Sequence, residues 1–168
     1  MTKKEICIIA VLVALIAGAV IAALCIRGNW EPEYVVGDFT PPAFAENAVD
    51  GVPIPAQVDG LPYGTLKLSE EISLSMVSDL TVNENGEVEI WLTAPAANKG
   101  WVALRIMDDE GNVLGESGVL KPGQYIQTMG LDQVPPKGGI VLAKILTYEP
   151  DAWYSMGSAT AQIMLNVK

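Results

Sequence analysis

The chain has 168 residues, with 10 basic and 20 acidic side chains, no histidine and two cysteines. A net charge of −10 repels phosphodiester backbones and argues against nucleic acid as a partner. Without histidine the commonest general base and the commonest metal ligand are gone, and Cys7 and Cys25 both precede Arg27, so the rest of the chain has no disulfide scaffold or thiolate metal site.

Residues 6–26 carry no charge, no proline and no strongly polar side chain. As a helix rising ~1.5 Å per residue they reach ~30 Å, the thickness of a bilayer core. This predicts a single N-terminal transmembrane helix within an anchor spanning residues 1–28. Lys3 and Lys4 precede the apolar run and Arg27 alone follows it, which places the N-terminus in the cytoplasm and the C-terminal part outside the cell membrane. A cleaved leader is disfavoured: cutting after Ala19 leaves Val20-Ile21-Ala22-Ala23-Leu24 on the product. Cys7 and Cys25 lie ~27 Å apart along such a helix and cannot bridge within it. Ala10, Ala14, Gly18 and Ala22 recur every fourth residue, a candidate face for close approach of a second helix.

Residues 29–62 form the next segment. Pro32, Pro41, Pro42, Pro53, Pro55 and Pro62 prevent a helix and favour extended chain, and Glu31, Glu33, Asp38, Glu46, Asp50 and Asp59 keep it solvated. An acidic stalk is expected here, able to span ~110 Å when stretched. Trp30, Tyr34, Phe39 and Phe44 are more aromatic than a spacer needs. Tyr34-Val35-Val36 or Val52-Pro53-Ile54 is a candidate for pairing with a sheet edge, in the same chain or in a neighbour. The anchor carries +2 (Lys3, Lys4 and Arg27 against Glu5), which leaves −12 on residues 29–168.

From residue 63 the apolar period becomes two. Thr65-Leu66-Lys67-Leu68 alternates, and Glu87–Thr93 places Val88, Ile90 and Leu92 on one face after the Asn85-Gly86 turn signal, with Trp91 predicted outward. Trp101–Met107 places Val102, Leu104 and Ile106 on one face. Val113–Glu116, Tyr125–Met129, Ile140–Thr147 and Ala159–Val167 complete about seven short strands separated by turn-forming residues. The region Ser69–Val82 matches no template. The expected fold is mainly β: an immunoglobulin-like antiparallel β-sandwich over residues 63–168, with a small barrel as the alternative.

Candidate chemistry is sparse. Asp108-Asp109-Glu110-Gly111-Asn112 lacks the ordered calcium-loop signature and its distal glutamate, and reads as a solvated hairpin tip. No serine has a histidine or a lysine at motif spacing, so no catalytic, metal or cofactor residue is assigned. Trp91, Trp101, Tyr125, Tyr148, Trp153 and Tyr154 are weighed as a ligand platform that binds sugar or peptide, with Trp91, Trp101, Trp153 and Tyr154 as the candidates carried forward.

The run Trp101–Gly118 continues into Leu120-Lys121-Pro122-Gly123-Gln124-Tyr125, with Tyr148-Glu149-Pro150-Asp151, Tyr154-Ser155-Met156-Gly157 and Phe39-Thr40-Pro41-Pro42 elsewhere. With the N-terminal anchor, this resembles a group of small single-pass membrane-anchored surface proteins of Firmicutes, some of them encoded on conjugative elements. The resemblance covers most of the chain after the anchor, departs from it over Ser69–Val82 and carries no catalytic or ligand residues. It implies a non-enzymatic role in cell-surface contact or in scaffolding a conjugation apparatus. Its expected partners are the membrane and other surface proteins, with oligomers formed through the helix or the stalk. A carbohydrate- or peptide-binding module and a strand-exchanging filament subunit are the alternatives.

Overall fold

The structure is a computed structural model and describes residues 40–167. The expected transmembrane helix, its face of Ala10, Ala14, Gly18 and Ala22, and the Tyr34-Val35-Val36 segment lie outside the described residues. Among the described residues no helix is long and apolar enough to cross a membrane.

The described part is mainly β, with ten strands and one four-residue helix. In chain order these are β1 (Val49–Asp50), α1 (Pro55–Val58), β2 (Tyr63–Lys67), β3 (Ser73–Val77), β4 (Asp79–Val82) and β5 (Glu87–Ala94). Then follow β6 (Trp101–Met107), β7 (Val113–Leu120), β8 (Gln124–Gly130), β9 (Gly139–Tyr148) and β10 (Ser155–Val167). The strands join in the order β1-β8-β5-β4-β10-β9-β6-β7, a sheet that curls upon itself, and β2–β3 attaches to β5. Two of these joints are thin. β4 meets β5 only at Val82↔Val88, and β3 meets β5 only at Ser75↔Thr93.

Six of the seven runs with a two-residue period lie within strands, because alternation lets one face enter a core while the other meets water. The seventh, Thr65–Leu68, overlaps β2, which ends at Lys67 and has no buried residue. Val88, Ile90 and Leu92 from β5, Val102, Leu104 and Ile106 from β6, and Ala143 and Ile145 from β9 are almost wholly buried. With Leu74, Leu80, Ile126 and Leu165 they belong to a single apolar cluster.

Three features differ from expectation. First, Ser69–Val82 holds two strands. Ser78 separates them with no turn residue, and the main partner changes there, to β10 over four residues of β4, with β5 retained only at Val82↔Val88. Second, the arrangement is not wholly antiparallel. β4 runs parallel to β10, with Met164↔Asp79 through Val167↔Val82 in register. These strands lie far apart in the chain, so no hairpin forces an antiparallel pairing.

Third, the compact unit begins at Pro41 rather than at residue 63. Ala45 donates its N–H to the Val119 carbonyl at 3.0 Å, and Val119 donates to the Ala43 carbonyl at 2.9 Å. Val49 and Asp50 pair with Tyr125 and Gln124 of β8, and Gly51 donates to the Gly123 carbonyl at 2.7 Å. Residues 43–51, part of the expected stalk, thus lie against the edges of β7 and β8. Backbone hydrogen bonds outweigh composition here, and the prolines fall outside the paired positions.

Gly118 permits this contact. Its φ is +69°, and a Cβ there would come within 2.8 Å of the Ala45 backbone. Gly111, at φ +91°, has open space around it. Gly118→Ala is therefore expected to cost about 2 kcal/mol or more, from left-handed strain plus a backbone clash, and Gly111→Ala only about 1 kcal/mol from strain alone. Urea denaturation of the two variants checks this. The Ala45 and Val119 amides should also lose exchange protection in Gly118→Ala only.

Candidate functional site

Four aromatic side chains from separate parts of the chain converge. Trp101 opens β6 and Tyr148 closes β9, and the antiparallel register sets these two residues opposite each other. Trp153 comes from the loop between β9 and β10, and Phe44 from the segment lying along β7. Trp101 stands edge-on to Phe44 at 5.0 Å between ring centroids and edge-on to Trp153 at 4.7 Å. Trp153 also meets Tyr148 at 5.8 Å and Phe44 at 5.5 Å. Lys121 Nζ sits 4.7 Å from the Phe44 ring centre, a cation–π contact.

The loop is tightly wound. Glu149 donates its N–H to the Tyr154 carbonyl at 2.8 Å, and Trp153 donates to the Glu149 carbonyl at 3.1 Å. Asp151 and Trp153 hold left-handed backbone, at φ 69° and 62°. Aspartate tolerates that region. A tryptophan there costs on the order of 1–2 kcal/mol, so the contacts of its ring must offset the strain. Tyr154 then projects into solvent, 74% exposed.

Of the platform candidates, Trp101 and Trp153 are brought together and Tyr154 follows Trp153 on the same loop. Trp91 is not with them. Expected outward, it is only 3% exposed. β5 carries an extra residue between Glu89 and Leu92, where its register against β8 shifts, and Trp91 takes φ 48°. The bulge breaks the alternation, so Ile90, Trp91 and Leu92 are all buried. The Trp91 indole stacks on Tyr125 at 5.9 Å and donates Nε1–H to the Glu89 carboxylate at 2.9 Å. Tyr148 is among the aromatics weighed from the sequence, and Phe44 and Lys121 are the members that sequence reasoning left out. The surplus of aromatics in the proline-rich segment was the available signal for Phe44.

The acidic tips are occupied by their own loops. Asn112 donates its backbone N–H to Asp108 Oδ1 at 2.7 Å and its side-chain amide to Oδ2 at 2.8 Å. Asn83 Oδ1 likewise accepts from the Asn85 and Glu87 amides at 2.9 Å. Among the described residues no three His, Cys, Asp or Glu side chains gather as a metal site. No protein-family model matches the chain, and the search of curated proteins gives no match.

Two outcomes follow from this geometry. Trp101→Ala is expected to cost about 2–4 kcal/mol, because it removes a ring that packs on both Phe44 and Trp153, whereas Tyr154→Ala should stay within about 0.5 kcal/mol. Chemical denaturation of both variants separates them. At the hairpin tip, the Asn112 side-chain hydrogen bond, followed by weaker backbone bonds, holds the Asp108 carboxyl below its ordinary value. A depressed carboxylate stabilises the folded form above its unfolded pKa, and this contribution disappears as pH falls through the folded value. A carbon-13 NMR titration should find Asp108 ionising below the usual aspartate range, with Asn112→Ala moving it back up.

Proposed function

We propose that the chain is a non-enzymatic, membrane-anchored interaction protein whose β-domain lies outside the cell and contacts other surface proteins through its aromatic end. The observation that carries this reading is the convergence of Phe44, Trp101, Tyr148 and Trp153, with Tyr154 left 74% exposed on a constrained loop. Tryptophan and tyrosine held on rigid backbone lose little entropy on binding and dominate the energetics of protein contacts. The edge-on packing argues against a sugar platform, because a sugar stacks on a free ring face and each edge-on contact sets one ring's edge against another's face. The anchor and its orientation rest on residues 6–26 and the flanking Lys3 and Lys4. Cell-surface contact or scaffolding of a conjugation apparatus is the role that the resemblance favours.

The finer fold belongs to this proposal. The thin β4–β5 joint supports two facing layers, β2-β3-β5-β8-β1 and β4-β10-β9-β6-β7. With the change of partner at Ser78, that pattern favours an immunoglobulin-like sandwich over a closed barrel.

Site-specific photo-crosslinking on intact cells tests the reading. A crosslinker at Tyr154 should give discrete protein adducts, and one at Lys137, exposed on the β8–β9 loop, should give none. A Trp153→Ala change should abolish the Tyr154 adducts. Recovery of wall polymer alone, or equal adducts from both positions, would contradict it.

A further inference from the structure

The two long sides of the folded unit are treated differently. Residues 43–51 lie along the edges of β7 and β8. On the other side, β2 pairs only with β3, and β10 pairs with β4 only over Met164–Val167. Among the described residues no strand pairs with that side of β10 from Ser155 to Ile163. Met164 donates its N–H to the Ser78 carbonyl at 2.9 Å, away from β9. In an antiparallel ladder the direction of the backbone groups alternates. Ser158, Thr160 and Gln162 therefore point both N–H and C=O at the open edge.

The inward side chains change where the cover ends. Along the part paired with β4 they are Ile163 and Leu165, which are buried. Along the open part they are Gly157, Ala159 and Ala161. Two cavities occupy the space that those small residues leave. One, of about 190 Å³, lies between Gly64–Leu66 and Met76 on the β2–β3 side and Ala161–Ile163 on β10. The other, of about 100 Å³, lies between Leu68 and Ile72 on one side and Met156–Ala159 on the other. No charged residue lines either cavity, in a chain of 20 acidic side chains.

We propose that this groove docks one extended polypeptide strand of a partner protein, uncharged on its inward face and carrying aliphatic side chains at alternate positions. A row of backbone donors and acceptors that repeats every second residue is matched by another extended backbone. Side chains on one face of that strand repeat with the same period, so they enter above Ala159 and Ala161. A dry apolar cavity of roughly 150 Å³ accepts a benzene-sized group, which is the scale of an aliphatic side chain. An inward charge would be desolvated against neutral walls and rejected. The added strand continues the line of β4 along β10, so it extends a ladder that already exists. The groove uses none of the aromatic rings of the proposed contact end, so either reading can fail without the other.

The test uses the full chain in detergent micelles and a fluorescein-labelled synthetic peptide, Lys-Thr-Val-Thr-Val-Thr-Val-Thr-Lys, read by fluorescence anisotropy. Saturable binding is expected. Proline at the central threonine and valine should weaken it at least about tenfold, because the donors are removed. Ala161→Leu, which fills the larger cavity, should weaken it about as much with the melting temperature retained. Ala159→Val serves as a second variant if Ala161→Leu does not fold. Lys137→Ser, exposed on the β8–β9 loop and lining neither cavity, should leave binding unchanged. Absence of saturable binding, equal binding of the proline peptide, or indifference to the cavity-filling variants would overturn the proposal. Tighter binding of an unlabelled competitor made as residues 30–39 of this chain would also overturn it, by assigning the groove to self-association.

Discussion

A strand edge carries one backbone ladder, and a chain that changes partner must release the first edge to reach the second. At Ser78 this chain makes that change, keeping only the Val82↔Val88 pairing to β5. Behind it, β3 and β2 extend from β5; ahead of it, β4 lies parallel on the last strand. Four residues of β4 protect only the final part of β10. Among the described residues, the rest of that 13-residue strand has no strand paired to this edge, with small inward residues and cavities beside it. Core, open flank and the curl of the sheet all follow from the position of that change.

The opposite flank shows how the same chain treats an edge it covers. Residues 43–51 hydrogen-bond to β7 and β8, and Gly118 lets the two backbones approach where a methyl group would clash. Phe44 is thereby delivered to Trp101 and Trp153. The aromatic end thus depends on backbone pairing as much as on ring packing. Part of the packing energy is spent on the left-handed backbone of Trp153, a strain that persists only because its neighbours hold it. A contact surface built on such a loop is presented with little freedom left to lose on binding.

Much of the β content was legible because two-residue alternation is dictated by burial on one face. Val102, Leu104 and Ile106 are an example, and the turns around Gly86 and Gly111 fall where the residue types place them. What was not legible depended on partners distant in sequence. Ser73–Val77 and Asp79–Val82 carry no turn between them, so the exchange of edges left no local mark. Trp91 was read outward because a bulge is an extra residue in a ladder and shows only against β8. Trp101 and Trp153 were recognisable as candidates, but their joining by Phe44 needed the pairing of Ala45 with Val119. Proline content alone had placed that segment in a stalk.

The claim that β10 is half covered and half open is tested most directly by amide hydrogen exchange, residue by residue, along that one strand in the unliganded chain. The amides of Met164 and Asn166 should exchange slowly, at rates set by opening of the β4–β10 ladder. Those of Ser158, Thr160 and Gln162 should exchange orders of magnitude faster, near the rates of exposed backbone. Uniform protection from Ser158 to Asn166 would contradict the account, since it would mean that the edge is already paired.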